Sequence, residues 1–135
     1  MDSSFAGAVR PLGVGIDLVD IARVERMLER NGERLLRRLL TEEERRYCLS
    51  RAQPARHVAA RVAAKEAAFK ALFPSEDGGY IGWQEFEVLR SRDGRPGLLL
   101  KGRAQDAAQR MGVSRTLVSL SHSESHALAV VILVG

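Results

Sequence analysis

Residues 55–73 read ARHVAARVAAKEAAFKALF, and this stretch is the strongest helix signal in the chain. It is rich in alanine, which favours helix more than any other residue, and it contains no glycine or proline. Val62, Phe69 and Phe73 share one face at helical spacing, and Glu66 falls within the same stripe. A carboxylate in an apolar stripe has to be paired, hydrogen-bonded or bound to a metal. The stretch therefore predicts a long helix that carries a candidate functional acid.

Two of the chain's lysines, Lys65 and Lys70, flank Glu66 on this predicted helix. Glu66 and Lys70 are four residues apart, so the alternative is a helix-surface salt bridge worth a few tenths of a kcal/mol. The position of Glu66 in the apolar stripe argues against that alternative.

The segment that precedes the long helix predicts one strand and three helices. They are a strand over Pro11–Leu18, a helix over Asp20–Arg30, a short helix over Glu33–Leu40 and a helix opened by a capping box at Thr41. Asp20 is well placed as the N-cap of the first helix. Asn31 and Gly32 are expected to end it, because either residue tolerates the left-handed conformation.

The segment that follows predicts two strand pairs around one helix. The strands cover Trp83–Ser91, Pro96–Lys101, Thr116–Ser121 and His126–Val134, and the helix covers Gly102–Met111. This order favours an α+β fold in which an antiparallel sheet packs against the long central helix. We expect a flexible N-terminal arm at residues 1–12 and a single domain at residues 13–135.

Composition limits the class of protein. The chain has 135 residues, of which 45% are hydrophobic, and a single cysteine, Cys48, which excludes an intramolecular disulfide and suits a reducing cytoplasm. Met1–Arg10 has no long apolar run, so neither a signal peptide nor a membrane span is expected there. We therefore expect a cytoplasmic domain with no membrane partner.

The excess positive charge is confined to one segment. The net charge is +4, and Asp20–Arg61 alone holds 11 arginines against 7 acids. Arg23, Arg26 and Arg30 are spaced to line one helix face, which either is an ordinary solvated face or docks an acidic partner. Aromatic residues make up only 5% of the chain and do not alternate with the arginines, so a nucleic-acid partner is not expected.

Asp17 is the second candidate acid. In an alternating strand it shares a face with Gly13, Gly15 and Val19, and the glycines leave room for a ligand or for another backbone. Alternatively, Asp17 is a strand-end carboxylate that only caps the next helix. Two carboxylates beside lysines could together hold Mg²⁺, which takes one or two protein carboxylates along with water and phosphate oxygens.

Four stretches taken together resemble a known family. GVGIDLVDIARVE at residues 13–25 is similar to the opening motif of the holo-acyl-carrier-protein synthases, the small type of 4′-phosphopantetheinyl transferase. RVAAKEAAFKAL at residues 61–72 resembles the family's central helix. WQEFEV at residues 83–88, with Gly94 and Pro96 after it, and VSLSH at residues 118–122 match its later strands.

The resemblance implies transfer of the 4′-phosphopantetheine group of coenzyme A to a serine of an apo acyl carrier protein. The products would be holo carrier protein, of the fatty-acid or polyketide type, and adenosine 3′,5′-bisphosphate. Asp17 and Glu66 would bind Mg²⁺, Lys70 would bind the pyrophosphate, and either Glu66 or a metal-held water would be the base. Residues implied to contact the nucleotide are Arg61, Gly94, Pro96, Ser121 and His122, and those implied to dock the carrier are Arg23, Arg26 and Arg30. A homotrimer is also implied.

Two features depart from the family pattern. Phe73–Gly79 replaces a short glycine-threonine-glycine turn, so the acceptor or the pantetheine channel is expected to differ, and the N-terminal arm is longer. The alternative function is a non-catalytic module that binds an acidic protein through the arginine-lined helix. Such a module has no use for Glu66 in an apolar stripe.

Overall fold

A computed structural model describes residues 8–73 and 80–135 of the chain. In these ranges the helices are α1 (Ile21–Leu39), α2 (Glu42–Leu49), α3 (Pro54–Leu72) and α4 (Gly102–Met111). The strands are β1 (Pro11–Asp20), β2 (Phe86–Arg90), β3 (Pro96–Leu100), β4 (Arg115–His122) and β5 (His126–Val134), and a 3₁₀ turn covers Trp83–Glu85.

The strands form two antiparallel sheets. One has the order β1–β5–β4, and the other is the β2–β3 hairpin. The predicted α+β class with antiparallel sheets is confirmed, and the hairpin turns at Gly94, whose φ of 86° is readily adopted only by glycine. No helix in the described ranges is both long and apolar enough to cross a membrane.

Helix α3 packs directly on the three-stranded sheet through its smallest side chains. The buried residues of this face include Ala63, Ala67 and Ala71. A Cβ atom at Gly15 would overlap the carbonyl of Ala67, and one at Gly13 would overlap the carbonyl of Ala71. The room that these two glycines leave is therefore filled by the helix backbone. This close approach brings the next residue of the same strand face, Asp17, against α3.

The predicted break at Asn31 and Gly32 is present as a kink between two helical segments of α1. Helix α1 runs on to Leu39, with a single non-helical residue at Asn31 (φ −139°, ψ 36°) that is not left-handed. Residues on both sides of the kink, Ile21 and Leu36 among them, are buried in the same core cluster. The two helical segments therefore pack into one core although the backbone is kinked between them.

Other helix and strand boundaries differ from the predicted ones by a few residues. The capping box at Thr41 is confirmed, but the predicted strand at Trp83–Ser91 begins with the 3₁₀ turn. Arg10 and Gly135 exchange two backbone hydrogen bonds of 3.0 Å, so the sheet begins within the segment predicted as the end of the arm. Residues 74–79, where the sequence departs from the family pattern, lie outside the described residues.

Candidate active site

Asp17, Glu66 and Lys70 come together where β1 crosses α3. The Lys70 ammonium donates to Asp17 Oδ1 at 3.0 Å and to the Ile16 carbonyl at 3.2 Å. The Asp17 side chain is 12% exposed and that of Lys70 is 55% exposed. The ammonium is thus held at the carboxylate but remains open to solvent, where it can also reach a ligand.

The two carboxyl groups form an incompletely satisfied pair. Asp17 Oδ2 is buried and has no hydrogen-bond partner. The pKa of Glu66 is raised, first by burial and then by the neighbouring Asp17 carboxylate, while Lys70 and Arg23 act in the opposite direction. A proton on Glu66 would supply the donor that Asp17 Oδ2 lacks, and a bound cation would satisfy both groups at once.

The donor set fits a hard divalent cation such as Mg²⁺. Within residues 8–73 and 80–135, no three or more His, Cys, Asp or Glu side chains cluster as a metal cage. Mg²⁺ does not need such a cage, because it usually binds one or two carboxylates and completes its shell with water and phosphate oxygens. A buried orphan oxygen on Asp17 beside Glu66 meets that requirement.

The apolar stripe that contains Glu66 is not part of the buried core. Phe69 and Phe73 are 43% and 74% exposed, and Glu66 itself is half-buried. The buried face of α3 consists mainly of alanines, because only small side chains allow its close approach to β1. Glu66 is tolerated because it is partly solvated, and its position beside Asp17 is what makes it a candidate functional residue.

Only one of the two predicted flanking lysines joins the carboxylates. Lys65 is fully buried and its ammonium pairs with Glu44 at 2.6 Å, so it is not available to the carboxylates. The ion-pair partner of Lys70 is Asp17 rather than Glu66, so the alternative of a salt bridge along the helix surface is replaced by a pair between two elements.

Two cavities adjoin Glu66. A cleft of about 350 Å³ between α1 and α3 is lined by residues that include Asp17, Glu66, Arg23 and Trp83. A largely apolar pocket of about 300 Å³ lies beside it and is lined by residues that include Glu66, Lys70, Phe69 and Trp83. Glu66 and Trp83 therefore form the wall that the two cavities share.

The predicted docking arginines lie on an open face of α1. Arg23, Arg26 and Arg30 are all exposed, and Arg23 also lines the cleft. Among the described residues none of the three forms an ion pair within 4.0 Å, whereas Arg37 and Arg46 are paired with glutamates of their own helices. The three charges are thus available to an acidic partner.

The predicted nucleotide contacts lie in two separate places. Arg61 is buried, its guanidinium lies 4.3 Å over the ring of Tyr47, and its Nε has no partner. Gly94 lies near this place because its carbonyl accepts a hydrogen bond from Arg90, which also stacks on Tyr47. Pro96, at the start of β3, follows the same hairpin turn.

The remaining two residues, Ser121 and His122, are exposed at the end of β4, which β5 separates from β1.

A basic cluster around Tyr47 was not predicted from the sequence. The guanidiniums of Arg51, Arg61 and Arg90 lie 4.3–5.5 Å from the Tyr47 ring centroid. The pKa of His57 is lowered by its burial and by these cations. The members belong to different segments of the chain, so no spacing in the sequence could reveal the cluster. Three guanidiniums without an ion-pair partner among the described residues form a candidate anion site.

The family is shown by comparison with known proteins. A family model described as the 4′-phosphopantetheinyl transferase superfamily matches residues 13–131. The chain belongs to this superfamily. A holo-[acyl-carrier-protein] synthase from Koribacter versatilis is 45% identical over 122 residues, which cover 90% of this chain and 97% of that protein.

Solved structures of the same family share the fold. The ACPS–coenzyme A complex of Chronobacterium ammoniagenes is 31% identical with a TM-score of 0.76, covering 93% of this chain and 96% of that one. A holo-[acyl-carrier-protein] synthase from Helicobacter pylori in complex with coenzyme A is 26% identical with a TM-score of 0.75, covering 89% and 98%. The resemblance predicted from the motifs is confirmed, and the chain is an enzyme of the holo-[acyl-carrier-protein] synthase family. That membership weighs against the non-catalytic module.

Proposed function

We propose that this enzyme transfers the 4′-phosphopantetheine group of coenzyme A to a serine of an apo acyl carrier protein in a Mg²⁺-dependent reaction that releases adenosine 3′,5′-bisphosphate. The observation that carries the proposal is the unsatisfied Asp17–Glu66 pair beside Lys70, in a cleft that also includes Arg23 of the basic face. The family membership supports the same substrates, because its relatives include coenzyme A complexes.

Asp17 and Glu66 would hold the Mg²⁺, which when bound offsets the negative charge of the pyrophosphate oxygens. Lys70 would bind a pyrophosphate oxygen as a point charge, since more than half of its side chain is exposed. Phosphoryl-type transfer depends mainly on positioning and charge neutralisation, so an activated side-chain nucleophile is not needed.

We assign the serine proton to Glu66. The acceptor oxygen forms a bond to phosphorus, the bond between that phosphorus and the bridging pyrophosphate oxygen breaks, and the adenosine bisphosphate departs with the electron pair. Glu66 lines the cleft beside Asp17, where its carboxylate is placed to accept that proton. Asp17 and Lys70 would keep Glu66 oriented within the cleft.

The nucleotide part of coenzyme A would lie toward the Tyr47 cluster. Arg61, Gly94 and Pro96 are the predicted contacts there, and the unpaired guanidiniums of Arg51 and Arg90 add charge suited to phosphate. The unpartnered Nε of Arg61 supports an anionic ligand at this place. Ser121 and His122 remain predicted contacts at the end of β4.

The proposal includes assembly into a homotrimer. Val14, Ile16 and Leu18 lie on the face of the three-stranded sheet opposite α3 and are 57–61% exposed, with Leu117 of β4 beside them at 41%. An apolar sheet face of this kind is typical of an interface between subunits. Light scattering on purified protein should give three chains per particle. We place the reaction in the cytoplasm, where the single free thiol, Cys48, is stable in its buried position.

Mass spectrometry of apo carrier proteins tests the proposed function. Purified enzyme with coenzyme A and Mg²⁺ should add one phosphopantetheine to the active serine of at least one carrier in a panel of fatty-acid and polyketide types. Omitting Mg²⁺ in the presence of a chelator should abolish the addition. If no carrier in the panel gains mass while a known transferase modifies them all, the proposed function is wrong.

A further inference from the structure

Lys65 has no part in the proposed chemistry, although it directly precedes Glu66. Its side chain is completely buried, as is that of its partner Glu44. Its ammonium donates to Glu44 Oε1 at 2.6 Å, to the Leu39 carbonyl at 2.8 Å and to the Trp83 carbonyl at 3.0 Å. An ammonium has three donors, and all three are used. Lys65 therefore has no donor left for a substrate.

Glu44 is also held by protein donors. Oε1, which binds Lys65, also accepts from the Thr41 amide at 2.9 Å, and Oε2 accepts from the Val88 amide at 2.9 Å. Both carboxylate oxygens are therefore engaged with protein donors. The pair forms a closed junction within the protein and is not an open binding site.

Stability alone is a poor explanation for such a junction. Burial lowers the pKa of Lys65, and the charge of Glu44 opposes that effect. Removing two charges from water is costly, and well-packed apolar residues of similar volume often do as well or better in their place. A buried pair with complete hydrogen bonding does, however, fix the relative positions of the segments that it joins.

The junction joins the segments that surround Glu66. Its hydrogen bonds tie α3 to the end of α1, the first turn of α2, the 3₁₀ turn and β2. Trp83 is the decisive contact, since Lys65 holds its carbonyl and the same residue lines both cavities beside Glu66. The position of Trp83 relative to the Glu66 carboxyl therefore depends on Lys65.

We propose that Lys65 and Glu44 are positioning residues for the transfer reaction. They hold Trp83 and the end of α1 in fixed positions relative to Glu66. This inference rests on the proposed function. Lys65 lines the apolar pocket beside Glu66, but its three donors are occupied, so it would act through the groups that it holds. A displacement of a reacting group by about 1 Å can lower the rate about 100-fold. The loss of the junction should therefore lower kcat more than it changes KM.

The main test compares Lys65→Met with Lys65→Met/Glu44→Gln. The single variant leaves a buried carboxylate unpaired and should unfold at a lower temperature. The double variant removes both charges, keeps an amide acceptor at position 44 and should recover most of the lost Tm. We expect its kcat to remain about 10–100-fold below wild type, with the KM for coenzyme A changed by less than about threefold. Wild-type kcat in a double variant with wild-type Tm would overturn the inference.

The fluorescence of Trp83 supplies a readout that does not depend on turnover. The chain has one tryptophan, so its emission reports the position of this wall alone. In the folded double variant the emission should shift from that of wild type, and an unchanged spectrum would contradict the inference. If wild-type enzyme itself transfers nothing, the proposed function fails, whereas the emission still tests whether the junction positions Trp83.

A matched control separates positioning from general loss of stability. Leu133→Ala opens a cavity at a fully buried site in β5, remote from the junction, and should lower the Tm without changing the emission of Trp83 or kcat below its unfolding temperature. Should the double variant fail to fold, Glu44→Gln alone carries the test. That variant keeps Lys65 and the side-chain volume, and it should lower kcat and shift the emission in the same direction. Wild-type kcat and emission in it would count against the inference.

Discussion

Lys65 and Glu66 are consecutive residues of α3 and meet opposite environments. The Lys65–Glu44 pair is sealed, with neither side chain exposed and every ammonium donor used. The Asp17–Glu66 pair is open to a cleft, and Asp17 Oδ2 has no partner. The two sites differ in whether the protein itself supplies all the partners that the charged groups require.

That difference separates a structural junction from a ligand site. A charged pair whose hydrogen bonds are all made within the protein has no free group for a ligand. An unsatisfied carboxylate pair is energetically unfavourable, and a bound cation can remove that unfavourable free energy. Helix geometry produces the contrast, because neighbouring residues point about 100° apart around the axis. One turn of α3 therefore serves both the interior and the cleft.

The largest effect expected at the open pair is the loss of transfer in Glu66→Gln. The amide neither accepts the serine proton nor offers a second negative charge to Mg²⁺, so kcat/KM should fall by about 1,000-fold or more. Mass-spectrometric rates on an apo carrier measure the loss, and far-UV circular dichroism checks that the fold is retained. Glu124→Gln, the same change at an exposed turn, is the matched control and should transfer at the wild-type rate. A Glu66→Gln rate within tenfold of wild type would remove Glu66 from the mechanism.

For stability, in contrast to activity, the larger effect is expected at the sealed pair rather than at the open one. Lys65→Met leaves Glu44 buried without its counter-charge and should lower the free energy of unfolding by about 3–5 kcal/mol. Lys70→Met removes a half-exposed ammonium and should cost less than about 1 kcal/mol. Urea unfolding of both variants measures the contrast. Equal losses at the two positions would show that the sealed and open pairs do not differ energetically.

A smaller effect is expected on the basic face, outside both pairs. Arg30→Glu should raise the KM for the carrier protein by about tenfold, or about 1.4 kcal/mol, and should leave the KM for coenzyme A unchanged. The effect should shrink at high salt, because exposed charges are screened. Arg110→Glu on α4 makes the same change in net charge and serves as the control. If both variants lose carrier affinity equally, net charge rather than the α1 face attracts the carrier.

Local features of the fold could be predicted because their signals are local. The Asp20 cap, the capping box at Thr41 and the turn at Gly94 each depend on residues within a few positions of one another. The position of the break at Asn31 could be predicted in the same way, but the packing of both helical segments into one core could not, since it depends on contacts with distant segments. The buried face of α3 was misjudged for the same reason: close packing on β1 selects alanine over the larger apolar residues.

The site was predictable only in part. Asp17 and Glu66 stood out as candidate acids, but their meeting follows from the packing of β1 on α3, which periodicity does not reveal. The burial of Lys65 depends on Glu44, 21 positions away, and on backbone carbonyls that carry no sequence signal. The cluster around Tyr47 could not be predicted from sequence spacing, because its arginines come from separate segments of the chain.

The smallest effect should appear in the stability of the metal-free enzyme. The pKa of Glu66 is raised in the folded state, so its contribution to stability is present below its unfolded pKa and is lost as the pH rises through the folded pKa. At neutral pH the ionised carboxyl beside Asp17 therefore destabilises the fold, and Glu66→Gln should raise the Tm in chelator by roughly 1–3 °C. At about pH 4 the difference should vanish, because wild-type Glu66 is then largely protonated.

Adding Mg²⁺ at neutral pH sharpens this last prediction. The ion binds the folded wild-type pair and should raise its Tm, while Glu66→Gln should respond much less, so that the order of the two proteins reverses. Glu124→Gln should follow wild type in every condition. If Glu66→Gln is less stable than wild type in chelator at neutral pH, Glu66 is already satisfied without a cation and the pair is not held open for one. The reversal would show that the same carboxylate destabilises the empty cleft and stabilises the filled one, which is how a ligand site differs from a sealed junction.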